Sequence, residues 1–155
     1  MKNRLYLLFA LVALLVFSLP VLAKGRIEDG DAFDTYMGKT KAEVKRIAPF
    51  FILDDPEEGI YKIDSDGLFS IYISFYNGKV ACIDSSVNVN ILEMTDMDLR
   101  IEVIETLFEI AGVSDRKILD TGIENGYPVY YLEDGIFAYL ITGNGITDIA
   151  VSRYM

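Results

Sequence analysis

"YISFYNGKVACID", residues 72–84, sets an alternating apolar run, an Asn-Gly pair and a second apolar run side by side. Asn-Gly supplies the two positive φ angles of a tight type I′ turn, so the stretch predicts a β-hairpin. Working back from the turn, Phe69, Ile71, Ile73 and Phe75 point to one side. Ser70, Tyr72, Ser74 and Tyr76 point to the other, the pattern of a strand buried on one face. Lys79 to Val87 returns as the partner strand. Further along, "YLITGNGITDIAV", residues 139–151, repeats the tyrosine, the alternation and the Asn-Gly pair.

Each hairpin is preceded by a helix and one more strand. Thr40 followed by Glu43 makes a capping box, and Val44, Ile47, Ala48 and Phe51 then fall on one stripe. Pro49 ends that helix, which is expected over residues 41–48, with Phe50 and Phe51 packing beyond it. The cluster "DDPEEG" reads as a turn, and Ile60 to Ile63 as a strand leading into "DSDG". The pattern restarts at Thr95, expected to cap a second helix with Asp98 three residues on. Its apolar stripe is Met97, Ile101, Ile104, Phe108 and Ala111, widened by Val103, Leu107 and Ile110, until Gly112 closes it. After a short extra strand near 117–119, "VYYLEDG" echoes "IYKIDSDG", and "FAYLITGNG" echoes "FSIYISFYNG".

The expected architecture is therefore α+β and two-layer: two tandem units, each a helix plus a three-stranded antiparallel meander, share one sheet with the helices on one face. One such unit closes too small a core by itself, and two side by side can share it. The units span residues 38–92 and 93–155 of a single domain, 38–155, preceded by a polar, mobile leader over 24–37.

Ahead of that leader, Lys2 and Arg4 precede an apolar run from Leu5 to Phe17, with Val21 and Ala23 as small residues before Lys24. That is the layout of a secretory signal peptide, residues 1–23. An uncleaved membrane anchor is the rival reading of the same run. Cleavage leaves 132 residues, twelve basic against twenty-four acidic, a net charge of −12. So acidic a chain repels nucleic acid and anionic lipid heads. The lone cysteine, Cys82, cannot form an internal disulfide and reads as a small buried hydrophobe, with a reactive or intermolecular thiol as its alternative.

The segments "GKTKAEVKRI" and "ISFYNGKVACID" resemble the SmpA/OmlA outer-membrane-assembly modules and the wider β-lactamase-inhibitor-protein-like (BLIP-like) superfamily. The matching positions are Gly38, Thr40 and Val44 for the helix, then Phe75, Gly78, Lys79 and Val80 for the hairpin. The likeness covers most of residues 36–87. In the second unit it is confined to Asn144-Gly145 and its flanking strands. It implies a BLIP-like tandem fold and a protein-binding role. No cysteine follows the apolar run to take a lipid, and no inhibitory loop residue of the family has a match.

The chain has no histidine, Cys82 has no partner base in the sequence pattern, and no serine sits in a nucleophile elbow. The acidic clusters fall in the leader, in loops and in tight turns, where Asp stabilises the turn itself. "DSDG" lacks the spacing of a calcium loop. The sequence thus calls for no cofactor and no metal. The helix-free sheet face is the candidate site: Tyr72 and Tyr76 in the first unit, Phe137 and Tyr139 in the second, joined by Lys62 and Tyr131 from the preceding strands. Tyrosine offers large contact area at low entropy cost plus a hydroxyl, which suits protein contact. The expected role is an exported, non-catalytic module that binds another exported or envelope protein. The alternatives are a small-ligand or peptide sensor of the cell envelope and a hydrolase working with carboxylates alone.

Overall fold

A computed structural model describes residues 32–48, 52–55, 59–65 and 68–153. The expected signal peptide, residues 24–31 of the leader, and Phe50 and Phe51 lie outside the described residues. The protein is α+β, built on one antiparallel sheet of eight strands in the order β1-β2-β3-β4-β8-β7-β6-β5. The strands are β1 (Ile52–Asp55), β2 (Ile60–Ser65), β3 (Phe69–Tyr76), β4 (Lys79–Val87), β5 (Ile118–Glu124), β6 (Tyr127–Leu132), β7 (Ile136–Gly143) and β8 (Ile146–Arg153). Chain neighbours pair by hairpins within each half, and β4 pairs with β8 where the halves meet.

Three hairpins turn on Asn-Gly. Asn77 and Gly78 have φ of 50° and 78°, Asn144 and Gly145 of 49° and 77°, and Asn125 and Gly126 of 52° and 88°. These are the positive angles a type I′ turn demands, and they fix the registers Tyr76↔Lys79, Gly143↔Ile146 and Glu124↔Tyr127. The third hairpin corrects the expected three-stranded meander. Its outer strand, β5, runs the whole length Ile118–Glu124 rather than forming a short piece near 117–119. Side chains of β5 are exposed almost throughout, so they carry none of the burial-driven alternation that marks its neighbours. At the opposite edge, β1 occupies part of the stretch read as a turn.

Among the described residues three α-helices accompany the sheet: α1 (Ala32–Tyr36), α2 (Lys41–Ile47) and α3 (Met97–Ala111). Helix α1 corrects the expected leader, because Ala32, Phe33 and Tyr36 are buried in the core. Helix α2 carries the capping box: the Glu43 carboxylate accepts the Thr40 N–H at 2.8 Å, and the Thr40 hydroxyl accepts from the Glu43 N–H. Just before it, Gly38 at φ 75° donates its N–H to the Val80 carbonyl at 2.9 Å, and Val80 N–H returns to Lys39 at 2.8 Å. The helix start is thus tied to the first turn of the β3–β4 hairpin.

Helix α3 is capped by Asp96, not Thr95; its carboxylate accepts the N–H groups of Asp98 and Leu99 at 3.0 and 3.2 Å. Gly112, left-handed at φ 78°, closes it. The expected stripe holds only over the C-terminal half, where Leu107, Phe108 and Ala111 are buried, while Met97 and Ile101 are 61% and 48% exposed. Val103 and Ile104 between these ends are half-buried and pack against the core. On α2, Val44 is buried, Ala48 just beyond the helix packs against the core, and Ile47 is 44% exposed.

The core lies between these helices and one sheet face. Inward from β3 and β4 come Ile71, Ile73, Val80, Ile83 and Val87; from β6, β7 and β8 come Leu132, Ile136, Ala138, Leu140, Ile149 and Val151. Leu107 of α3 is fully buried among them, and burying a leucine stabilises a fold by about 1.5–3 kcal/mol. Two hydroxyls satisfy polar atoms inside. Ser85 donates to the Leu107 carbonyl at 2.7 Å, joining β4 to α3. Thr147 of β8 is fully buried and donates to the Val89 carbonyl at 2.7 Å.

Candidate functional site

Because the helices take the inward residues, the opposite face presents the alternate set. Register carries one row straight across the sheet: Lys62 opposite Tyr72, Tyr72 opposite Asp84, Asp84 opposite Ala150, Ala150 opposite Tyr139, and Tyr139 opposite Val129. The neighbouring row runs Ser74, Cys82, Ser152, Phe137, Tyr131 and Asp120. A bulge opposite Ser74 and Phe75 leaves Ala81 of β4 unpaired, so Val80 points inward opposite Phe75.

The five tyrosine and phenylalanine positions singled out from sequence are not equally placed. Tyr131, Phe137 and Tyr139 come together: Tyr131 and Tyr139 donate their phenol protons to the two oxygens of Glu124, and Phe137 meets Tyr139 edge-on at 5.6 Å. Tyr72 stands on the same face two strands beyond Ala150, half-buried, with the Lys62 ammonium 5.6 Å from its ring centroid. Tyr76 is 60% exposed at the end of β3 beside the turn, apart from the others.

Glu124 ties the tyrosines of β6 and β7 together. It ends β5 on the outward face, and two phenols converge on it; these hydrogen bonds, Tyr131's first, hold its carboxyl below the usual range. Gly122 lies beneath this group. A Cβ there would lie 3.5 Å from Val129 and 3.6 Å from the Tyr131 ring. Val129 is itself buried although it faces away from the helices, lodged between Tyr139 opposite and Tyr131 two residues along.

Between the aromatic flanks lies a polar strip. Strands β4 and β8 present Cys82, Asp84, Ser86, Asp148, Ala150 and Ser152 there. Asp84 is half-buried, and burial first, then repulsion from Asp148, pushes its carboxyl up from an ordinary 3.8 to about 6. Asp148 is raised as well, by burial against the pull of a Ser86 hydrogen bond. Cys82, expected to be buried, is half-buried on this outward face, and its thiol donates to Asp84 at 3.7 Å. Burial and the nearby carboxylate push the thiol far above its usual range, which keeps it protonated and a poor nucleophile. Among the described residues no three cysteine, aspartate or glutamate side chains cluster at metal-binding range.

Asp84, Asp148 and Glu124 were not evident as site residues in the sequence. The signal for the first two is parity: each is an acidic residue inside a strand, on the register opposite to Ile83 and Ile149. Glu124 is legible only once β5 is known to be a strand. Compared with known proteins, the chain matches no family model, no curated protein and no solved structure.

Proposed function

We propose that the protein is an exported, non-catalytic interaction module of BLIP-like type, which binds another envelope or secreted protein through the helix-free face of its sheet. In this reading the chain consists of two related units, residues 38–92 and 93–155, joined at β4 and β8. The single observation that carries it is the placement of Tyr72 and Tyr139. Each stands one strand out from the β4–β8 seam, on the same row and the same face, as two copies of one unit would put them. The support from sequence is the Gly38-Thr40-Val44 and Phe75-Gly78-Lys79-Val80 resemblance, and Gly38 and Val80 are hydrogen-bonded to each other. Aromatic rings held by Glu124 lose little freedom on binding, which favours contact with a partner.

Replacing Tyr72 and Tyr139 together by Ser is expected to abolish capture of a partner from cell-envelope extract while leaving the melting temperature within a few degrees. Unchanged capture would refute the surface. A second reading, a hydrolase working with carboxylates alone, draws on the Asp84–Asp148 pair, since glycoside hydrolysis uses two carboxyls, one of them an acid with a raised pKa, and Asp84 has one. Release of nitrophenol from a panel of aryl glycosides, lost in Asp84→Asn, would select that reading instead.

A further inference from the structure

Where the two strands pair, Cys82 to Val87 against Thr147 to Ser152, every side chain that β4 and β8 present on the helix-free face is small or acidic; Lys79 and Ile146 lie beyond that stretch, beside the turns. The strands flanking them carry large ones: Tyr72 on β3, and Phe137, Tyr139 and Ile141 on β7. With strands about 4.8 Å apart, the two tyrosines stand roughly 14 Å apart across a shallow trough two strands wide. One extended chain, or a long side chain laid across, fits that width.

The floor of the trough is negative and uncompensated. Asp84 and Asp148 sit diagonally across β4 and β8, where side chains approach within about 7–8 Å. Among the described residues, the ion pairs within 4.0 Å all belong to Arg116, and neither aspartate has a lysine or arginine at that distance. Asp84 has the Cys82 thiol as its hydrogen-bond donor, and Asp148 has Ser86. Two half-buried carboxylates that repel one another gain most from a cation placed between them. The rim already seats one, since Lys62 rests over Tyr72. The whole chain, with twenty-four acidic against fourteen basic residues, steers basic partners toward it.

We propose that this trough docks an extended, lysine- or arginine-bearing segment of a partner protein, whose cationic head reaches Asp84 and Asp148 while its stem lies between Tyr72 and Tyr139. The inference rests on the interaction reading above and adds the charge and shape of what is bound. It accounts for a pair of like charges kept half-buried in mid-sheet at a cost to stability.

The test is calorimetric titration of the protein with a hexapeptide of alternating Lys and Thr, its fully lysine-acetylated form, and spermidine, with amide NMR shifts to locate binding. The lysine peptide is expected to bind and to shift the amides of Asp84, Asp148 and Tyr139; acetylation should abolish binding. The double variant Asp84→Asn with Asp148→Asn should weaken it by about tenfold or more. Asp148→Asn alone serves should the double variant fail to fold. No binding by the lysine peptide, equal binding by the acetylated form, spermidine matching the peptide, or undiminished affinity in the Asn variants would each overturn the proposal. Partner capture from extract separates the two readings. Loss with the Tyr72/Tyr139 variant but not with the Asn variants leaves the interaction face standing and removes its cationic ligand.

Discussion

The buried hydroxyl of Thr147 accepts the backbone N–H of Ile91 at 3.0 Å, pinning the connection between β4 and α3 to the last strand of the sheet. The same oxygen donates to the Val89 carbonyl, so one side chain satisfies a donor and an acceptor that have left the sheet ladder. Thr147→Val keeps the shape and removes both bonds to the Ile91 N–H and the Val89 carbonyl. A loss of about 1–3 kcal/mol is expected, read by urea unfolding, with Thr147→Ser recovering most of it.

Asp84 makes stability depend on pH in an unusual direction. Its folded-state pKa, about 6, lies above its ordinary 3.8, so the native state holds this proton more tightly than the unfolded chain does. The stabilisation is complete below about pH 4 and is lost as pH climbs through about 6. Asp148, Cys82 and the Tyr72 opposite are the groups that face it, and Asp148 titrates in the same sense. Asp84→Asn should be the more stable protein at pH 7, by on the order of 2 kcal/mol, and that advantage should vanish near pH 4. Thermal melts of both proteins across that range, compared as a difference, check it.

Glu124 holds two rings at once, and its removal should be felt in motion more than in stability. In Glu124→Ala the ring resonances of Tyr131 and Tyr139 should move and their flips quicken, with the melting temperature little changed. In the unaltered protein those resonances should stay constant through pH 4.5, the ordinary value for a glutamate, and shift only at lower pH, because the phenols keep the carboxyl ionised.

Gly122 separates a tolerable change from a disruptive one. A methyl there would make ordinary contacts with Val129 and Tyr131, so Gly122→Ala should leave stability unchanged or raise it by up to about 0.5 kcal/mol through the unfolded state. Gly122→Leu has no such room. It should displace the Tyr131 ring from Glu124, visible as loss of the nuclear Overhauser contacts between Tyr131 and Val129.

Much of this architecture is legible in residues 68–87 and 136–153, where burial on one face writes an alternation into the chain and Asn-Gly marks the turn. The capping box at Thr40 and Glu43 is equally plain, because two side chains must be of the right kind at fixed spacing. What escaped was whatever burial does not mark. Strand β5 is exposed on nearly every residue, so Asn125-Gly126 was its one sign. Helix α1 is five residues long, too short for periodicity to show, and its identity lies in Phe33 and Tyr36 reaching a core assembled from distant strands. The tyrosines of the outward face follow from parity alone. Their grouping does not, since it depends on Glu124 and on which strand pairs with which.

The β4–β8 seam has a kinetic meaning. It joins residues 82–87 to residues 147–152, so the seam cannot close until the chain has been made as far as residue 152. Local hairpins close in microseconds, whereas so distant a pairing carries the entropy of a long loop and comes late. Until it does, the first half exposes Ile83 and Val87 along a bare strand edge, a template for sticking to other chains. Folding of this protein is therefore most vulnerable in the interval before β8 arrives.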